Sequence, residues 1–237
     1  MKTIYTLASV ITFLLLGAYA SQAQVFTPVD IYAGADSSLP FDFASFNGKV
    51  YFQANDGIHG AEAWISDGTP AGTTLLADIW PGSGTSNPHY FTVWNNAVYF
   101  VADDSVHGFQ VWTTNGTPAG TSMLVYIPFV SHTNWPYYFT PFNNKLFFGA
   151  NDSIHGTELW ETDGTSGGTS LVADNWPGAG SSSPGDYGGF GIAGGKLFFD
   201  ANDSVHGNEL WVSDGTTAGT HMVADIWAGT GSSGPGG

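Results

Sequence analysis

Short apolar runs alternate along this chain with clusters of Asn, Asp, Gly and Ser, and residues 137–175 show the pattern in full. An apolar and aromatic run at 137–142 is followed by Asn143-Asn144, residues that tolerate positive φ and suit a two-residue hairpin turn. A second run, 145–150, is apolar on both faces through Leu146, Phe147 and Phe148. Turn residues at 152–156 lead to a third run, 157–162, and those at 163–168 lead to a fourth, 169–174. Runs of this length bounded by such turns predict four β-strands, and strands apolar on both faces require cover on both sides.

The same cassette recurs. His-Gly begins at His59, His107, His155 and His206, at intervals of 48, 48 and 51 residues. Asp67-Gly68-Thr69, Asn115-Gly116-Thr117, Asp163-Gly164-Thr165 and Asp214-Gly215-Thr216 keep step, as do Trp64, Trp112, Trp160 and Trp211. The hairpin turn reads Asn47-Gly48, Asn95-Asn96, Asn143-Asn144 and Gly194-Gly195, and the extra length of the last interval falls in the Gly-rich stretch 185–195. Four strands in a unit of about 40–50 residues is the blade pattern of an all-β propeller. A solenoid would repeat at about 20–30 residues or show helical periodicity, and this chain does neither. The expected blades are 41–79, 89–127, 137–175 and 187–226. Residues 25–31 match a fourth strand with no first three before it, and 227–237 read as an inter-blade loop. The expectation is therefore an incomplete ring in a C-terminally truncated fragment.

Residues 1–23 change the picture of where the protein works. Lys2, a short apolar core and Ser21-Gln22-Ala23 form a signal peptide, which leaves a mature chain of 24–237 that is secreted or held at the cell surface, with no membrane insertion. The chain has no cysteine, so its core must hold without disulfides. Four Lys+Arg against 20 Asp+Glu, with no arginine, leave nothing to neutralise phosphates, which excludes nucleic acid and anionic lipid as partners. Neutral ligands and cations remain.

The segments Glu158-Leu159-Trp160-Glu161-Thr162-Asp163-Gly164-Thr165 and 209–216, with a close variant at 62–69, resemble the ELWxxDGT repeat family of secreted bacterial proteins. The copy with Gln110-Val111-Trp112 and Asn115 departs from it. The resemblance implies a secreted or surface propeller, often bearing a C-terminal sorting domain, of which this sequence shows no sign. It implies no particular activity. Asp104-Ser105-Val106, Asp152-Ser153-Ile154 and Asp203-Ser204-Val205 are also similar to three-residue O-glycosylation sites of secreted bacterial proteins.

Three sets of residues are candidates for chemistry. Asp56/His59/Glu62, Asp152/His155/Glu158 and Asp203/His206/Glu209 could each hold a metal, calcium suiting the carboxylates and a transition metal the imidazole. Recurrence in every unit favours a structural role, with Asp capping amides, His beside Gly and Glu on a solvated strand face. Aromatics open the inter-blade loops at Tyr32, Trp80, Trp176 and Trp227, with Pro128-Phe129 in the divergent copy. They could stack on sugars or wedge between blades. The non-repeating polar residues His89, His132, Glu161, Asp186 and His221 form no recognisable catalytic pair. The expected role is non-catalytic binding of glycan or extracellular protein, in adhesion or scaffolding and without a cofactor. The alternatives are a carbohydrate-active propeller enzyme, marked by non-repeating carboxylates or histidines at one mouth of the ring, and a calcium-stabilised surface protein.

Overall fold

A computed structural model of the protein describes residues 28–128 and 135–234. Residues 1–23, expected as a signal peptide, and Phe129 and His132 lie outside the described residues. Among the described residues sixteen strands form four antiparallel sheets, each built from consecutive strands in sequence order. The first sheet holds β1 (Phe41–Phe46), β2 (Lys49–Asn55), β3 (Ala61–Ser66) and β4 (Thr74–Ala77). The second holds β5 (His89–Trp94), β6 (Ala97–Asp103), β7 (Phe109–Thr114) and β8 (Thr121–Val125). The third holds β9 (Tyr137–Phe142), β10 (Lys145–Asn151), β11 (Thr157–Thr162) and β12 (Ser170–Ala173). The fourth holds β13 (Gly191–Ala193), β14 (Lys196–Asn202), β15 (Asn208–Ser213) and β16 (His221–Ala224). Apart from strands, the described residues carry one turn of 3₁₀-helix at Pro118–Gly120, and no helix is long and apolar enough to cross a membrane.

The hairpins follow from the turn residues. Asn47, Asn95, Asn96, Asn143, Asn144, Gly194 and Gly195 all take positive φ, as a two-residue turn matched to strand twist requires. The second strands alternate between two buried faces, so the core lies between sheets. Tyr51, Ala63, Ile65 and Leu76 of the first sheet pack on Phe91, Val98 and Phe100 of the second. Tyr99 and Val111 of the second meet Phe139, Leu146 and Phe148 of the third. Phe147, Leu159 and Val172 of the third meet Leu197, Phe199 and Trp211 of the fourth. Each sheet thus has an upstream and a downstream face. The innermost strands β1, β5 and β9 touch one another in turn, which places them at a hub and makes the sheets blades of a β-propeller.

Residues 28–31 carry no strand, and residues 25–27 lie outside the described residues. Ile31 packs on the upstream face of the first blade beside Phe52 and Trp64. The following loop has inter-blade geometry. Gly34 N donates to Asp30 Oδ2 at 3.1 Å, as Gly82 does to Asp78 at 3.3 Å and Gly229 to Asp225 at 3.2 Å.

Candidate functional site: a repeated clasp and one polar pocket

Most of the conspicuous repeated residues converge on one device, which ties each blade to the loop leaving it. In the turn between second and third strands, Asp56 Oδ1 accepts Ile58 N at 2.9 Å and His59 N at 2.8 Å, while Oδ2 meets His59 Nδ1 at 2.7 Å. Asp104–His107, Asp152–His155 and Asp203–His206 repeat the pairing at 2.7 Å. Burial alone would raise these aspartates, but their bonds to His and to backbone amides outweigh it and hold Asp56, Asp104, Asp152 and Asp203 below the usual range. The reciprocal bond raises His59, His155 and His206.

The next residue must be glycine. Gly60, Gly156 and Gly207 each have φ of +71°, and an added Cβ would overlap the carbonyls of Gly84, Gly180 and Gly231 in the inter-blade loop. Two residues on, the glutamate turns into that loop. Glu62 accepts Ile79 N at 2.9 Å, Trp80 N at 3.3 Å, and Ser86 N and Oγ at 3.0 and 2.6 Å. Glu158 accepts Asn175 N at 2.9 Å and Ser182 N and Oγ at 2.9 and 2.6 Å. Glu209 accepts Ile226 N and Ser233 N, both at 3.1 Å.

The solvated strand face expected for these glutamates is therefore corrected: all three are fully buried. Burial pushes Glu62 and Glu158 up to about 7 despite their hydrogen-bond donors. In Glu209 burial again acts upward, but the donors prevail and hold it below its ordinary value. The divergent copy obeys the same logic. Pro128 has no N–H to offer where Trp80 donates, and Gln110 takes the place of glutamate. Its Oε1 accepts Ile127 N at 2.9 Å, and its Nε2 donates to His107 O and Ile127 O at 2.9 and 3.1 Å.

The loop aromatics belong to the same device. The indoles of Trp80, Trp176 and Trp227 lie over Gly84, Gly180 and Gly231, four residues on in their own loops. Trp80 and Trp176 are half-buried and Trp227 is exposed. Tyr32 lies instead against Gly57, where an added Cβ would meet its ring at 2.7 Å. The first copy accordingly has glycine where the others have Ser105, Ser153 and Ser204. The aspartate and histidine of each proposed metal triad pair with each other while the glutamate faces the loop. Among the described residues no group of three or more His, Asp or Glu side chains is placed to hold a metal.

The non-repeating residues gather elsewhere. At the hub, Asp42, Tyr90 and Tyr138 occupy one register with φ of 55°, 58° and 56°, and Gly189 takes the same place in the fourth blade. The Asp42 carboxylate accepts Tyr90 N, and the Tyr90 and Tyr138 rings lie 5.4 Å apart. The insertion that lengthens the last repeat folds into turns at 184–188, anchored by Gly185 N to Asp200 O at 2.8 Å. It brings Asp186 and Tyr187 over a pocket of about 170 Å³ lined also by Ser181, Ser182, Ser183, Asn202, Asn208 and Ser232. Asn208 is buried, donates to Asp200 Oδ2 at 3.0 Å, and leaves its Oδ1 without a protein partner. Burial raises Asp200 above its ordinary range. In the second blade the register of Asn208 holds Phe109, which packs with His89 and Trp135 at centroid distances of 5.6 and 5.3 Å.

Sequence reasoning named Asp186 but missed Asp200 and Asn208. The available signal was departure from the repeat: Asp200 stands where the other copies have Gln53, Val101 and Gly149, and Asn208 where they have Ala61, Phe109 and Thr157.

No model of a known protein family matches the chain, and no curated protein matches it. Among solved structures it is similar to a TolB protein from Agrobacterium tumefaciens, at 12% identity and a TM-score of 0.43 over 86% of this chain and 70% of that one. It is also similar to an alpha-L-arabinofuranosidase from Clostridium thermocellum, at 17% identity and a TM-score of 0.38 over 77% of this chain and 70% of that one. Puromycin hydrolase matches at 14% identity and a TM-score of 0.47 over 78% of this chain. The chain spans 29% of the length of that hydrolase, and 64% of the computationally designed Ika8 protein.

Proposed function

We propose that this chain is a secreted or cell-surface, non-catalytic propeller that binds a glycan through the pocket of its fourth blade. The observation that carries the reading is the division of labour among polar residues. The Asp and His marks of every blade, and the Glu of three of them, are taken up by internal hydrogen bonds, whereas Ser183, Asp186 and Tyr187 line an open concavity beside the buried amide of Asn208. Serine hydroxyls and asparagine amides both donate and accept, and a carboxylate accepts, which matches the alternating donors and acceptors of a sugar ring. Tyr187, exposed beside them, offers a face for stacking. The volume lies below the roughly 300 Å³ at which pockets for drug-sized ligands begin, so the pocket takes one end of a longer chain. A net charge of −16 selects neutral or cationic glycans.

A glycan array probed with the mature protein tests this, followed by titration of the best ligand against Asn208→Ala and Asp186→Ala. Both substitutions should weaken binding at least tenfold, with Trp80→Ala, in a connector that does not line the pocket, leaving it unchanged. Binding that survives both pocket variants would overturn the assignment.

The second reading, an enzyme acting on carbohydrate, is favoured by one specific feature. Asp200, raised by burial, lies beneath the same insertion that carries the exposed Asp186, and these are unequal environments of the kind that separate an acid from a base. Release of reducing sugar from the bound glycan, abolished by Asp186→Asn, would establish that reading in place of the first.

A further inference from the structure

The fourth blade exposes part of its downstream face, at registers that the first blade buries throughout. In the first blade Tyr51, Ala63, Ile65, Leu76 and Ile79 form the surface on which the second blade packs. Tyr99, Val111, Leu124 and Ile127 do the same in the second, and Phe147, Leu159 and Val172 in the third. The fourth blade places Phe198, Leu210, Val212, Val223 and Ile226 at these registers. Val212 is 4% exposed, as Ile65 is 5%, and burial separates the two outer residues from their counterparts. Leu76 is 1% exposed and Val172 5%, against 48% for Val223; Ile79 and Ile127 are 7% and 3% exposed, against 63% for Ile226. A hollow of about 230 Å³, lined by Phe198, Asp200, Leu210 and the glycines 188, 189 and 191, opens on the same side.

The connector beyond this face is built as the others are. Glu209 clamps 226–233 with the bonds that Glu62 and Glu158 make, and Trp227 lies over Gly231. In the other connectors the serine carbonyl then pairs with the second strand of the following blade. Ser38 O accepts Asn55 N at 2.9 Å, Ser86 O accepts Asp103 N at 2.9 Å, and Ser182 O accepts Asn202 N at 3.0 Å. Among the described residues nothing donates to the carbonyl of Ser233.

We infer that the downstream face of the fourth blade is a docking surface for a blade of the same repeat, in the register that the connector 227–234 sets. The occupant presents the upstream chemistry already seen in this chain: Phe91, Val98, Phe100, Ala102 and Trp112 against the first blade. Its second strand donates a backbone N–H to Ser233 O. Apolar contact and one ladder bond at a fixed register, the two elements of each internal interface, are both left unpaired here, which specifies another blade over an unrelated partner.

The test compares the mature chain with a version in which residues 87–127 are copied after Ser233, so that a second-blade sequence follows the fourth blade. Hydrogen exchange of β14–β16 is measured in both. The inference expects the added unit to slow exchange of the β14 and β15 amides at least tenfold, and Val223→Asp in the extended chain to restore the original rates. Unchanged exchange in the extended chain would overturn it. So would a discrete dimer of the mature chain that Val223→Asp dissolves, since the occupant would then be a second copy of the same face.

Discussion

The paired effects on the clasp glutamates make stability depend on pH in an unusual direction, and the size can be worked out. Glu62 and Glu158 are pushed from an ordinary 4.5 to about 7. Between those values the unfolded chain has released its proton and the folded chain still holds it. Stability from these groups is therefore fully present below pH 4.5 and is lost as pH rises toward 7. At 1.36 kcal/mol per unit, the loss is of order 3 kcal/mol for each glutamate. The histidines of the same turns act with them. His59, His155 and His206 are raised by their aspartates, so their contribution is also lost as pH rises through the folded value. Asp56, Asp152 and Asp203 are lowered, and what they contribute is lost only below about pH 4.

Urea unfolding of the mature protein at pH 5, 6, 7 and 8 should thus show stability falling across that range. The double variant Glu62→Gln/Glu158→Gln should remove most of the slope while staying within roughly 2 kcal/mol of the wild type at pH 5, where glutamate is protonated and near-isosteric with glutamine. The competing expectation is concrete. Two backbone N–H donors and a serine hydroxyl converge on Glu158, and donors of that kind can hold a carboxylate far below 4. Equal slopes in wild type and double variant would mean that the donors outweigh burial, and would refute the assignment of the pH dependence to these two glutamates.

Two further outcomes follow from the clasp. Gly156→Ala, which drives a Cβ into the Gly180 carbonyl at a left-handed position, should lower stability by more than about 2 kcal/mol, or several degrees in a melting experiment. Gly167→Ala, with open space around it, should be neutral within about 0.5 kcal/mol. Gly57→Ser restores the residue type of the other copies yet should destabilise, because its Cβ meets the Tyr32 ring. A double-mutant cycle with Tyr32→Ala should recover at least half of that loss, and additive effects would show that the two positions do not communicate.

Much of the blade was legible in the sequence because its determinants are local. The Asn-Asn and Asn-Gly turns, the strand alternation and the Asp-to-His turn are all decided within a few residues, and all lie where the spacing placed them. The clasp was not legible, because Glu62 finds Ser86 24 residues away, and only the fold brings the pair together. The error about Glu62 was nevertheless avoidable. It shares its strand face with Trp64, and a chain whose strands are apolar on both sides has no solvated face to give it.

The pocket was hidden for the opposite reason. A repeat trains attention on what recurs, whereas a single site is made by what does not. Asp200 and Asn208 are ordinary residues in isolation and become informative only against Gly149 and Thr157 at the same registers. Recurrence thereby sorts the chain's chemistry. The aspartate–histidine pairs and the buried glutamates hold each blade to its loop, and their bonds are made inside the fold. A residue that breaks the register at a small cost in packing keeps some capacity unused, as the Oδ1 of Asn208 does. The proposed recognition of a glycan therefore falls to the fourth blade, where the repeat is broken by the insertion, by Asp200 and by Asn208 together.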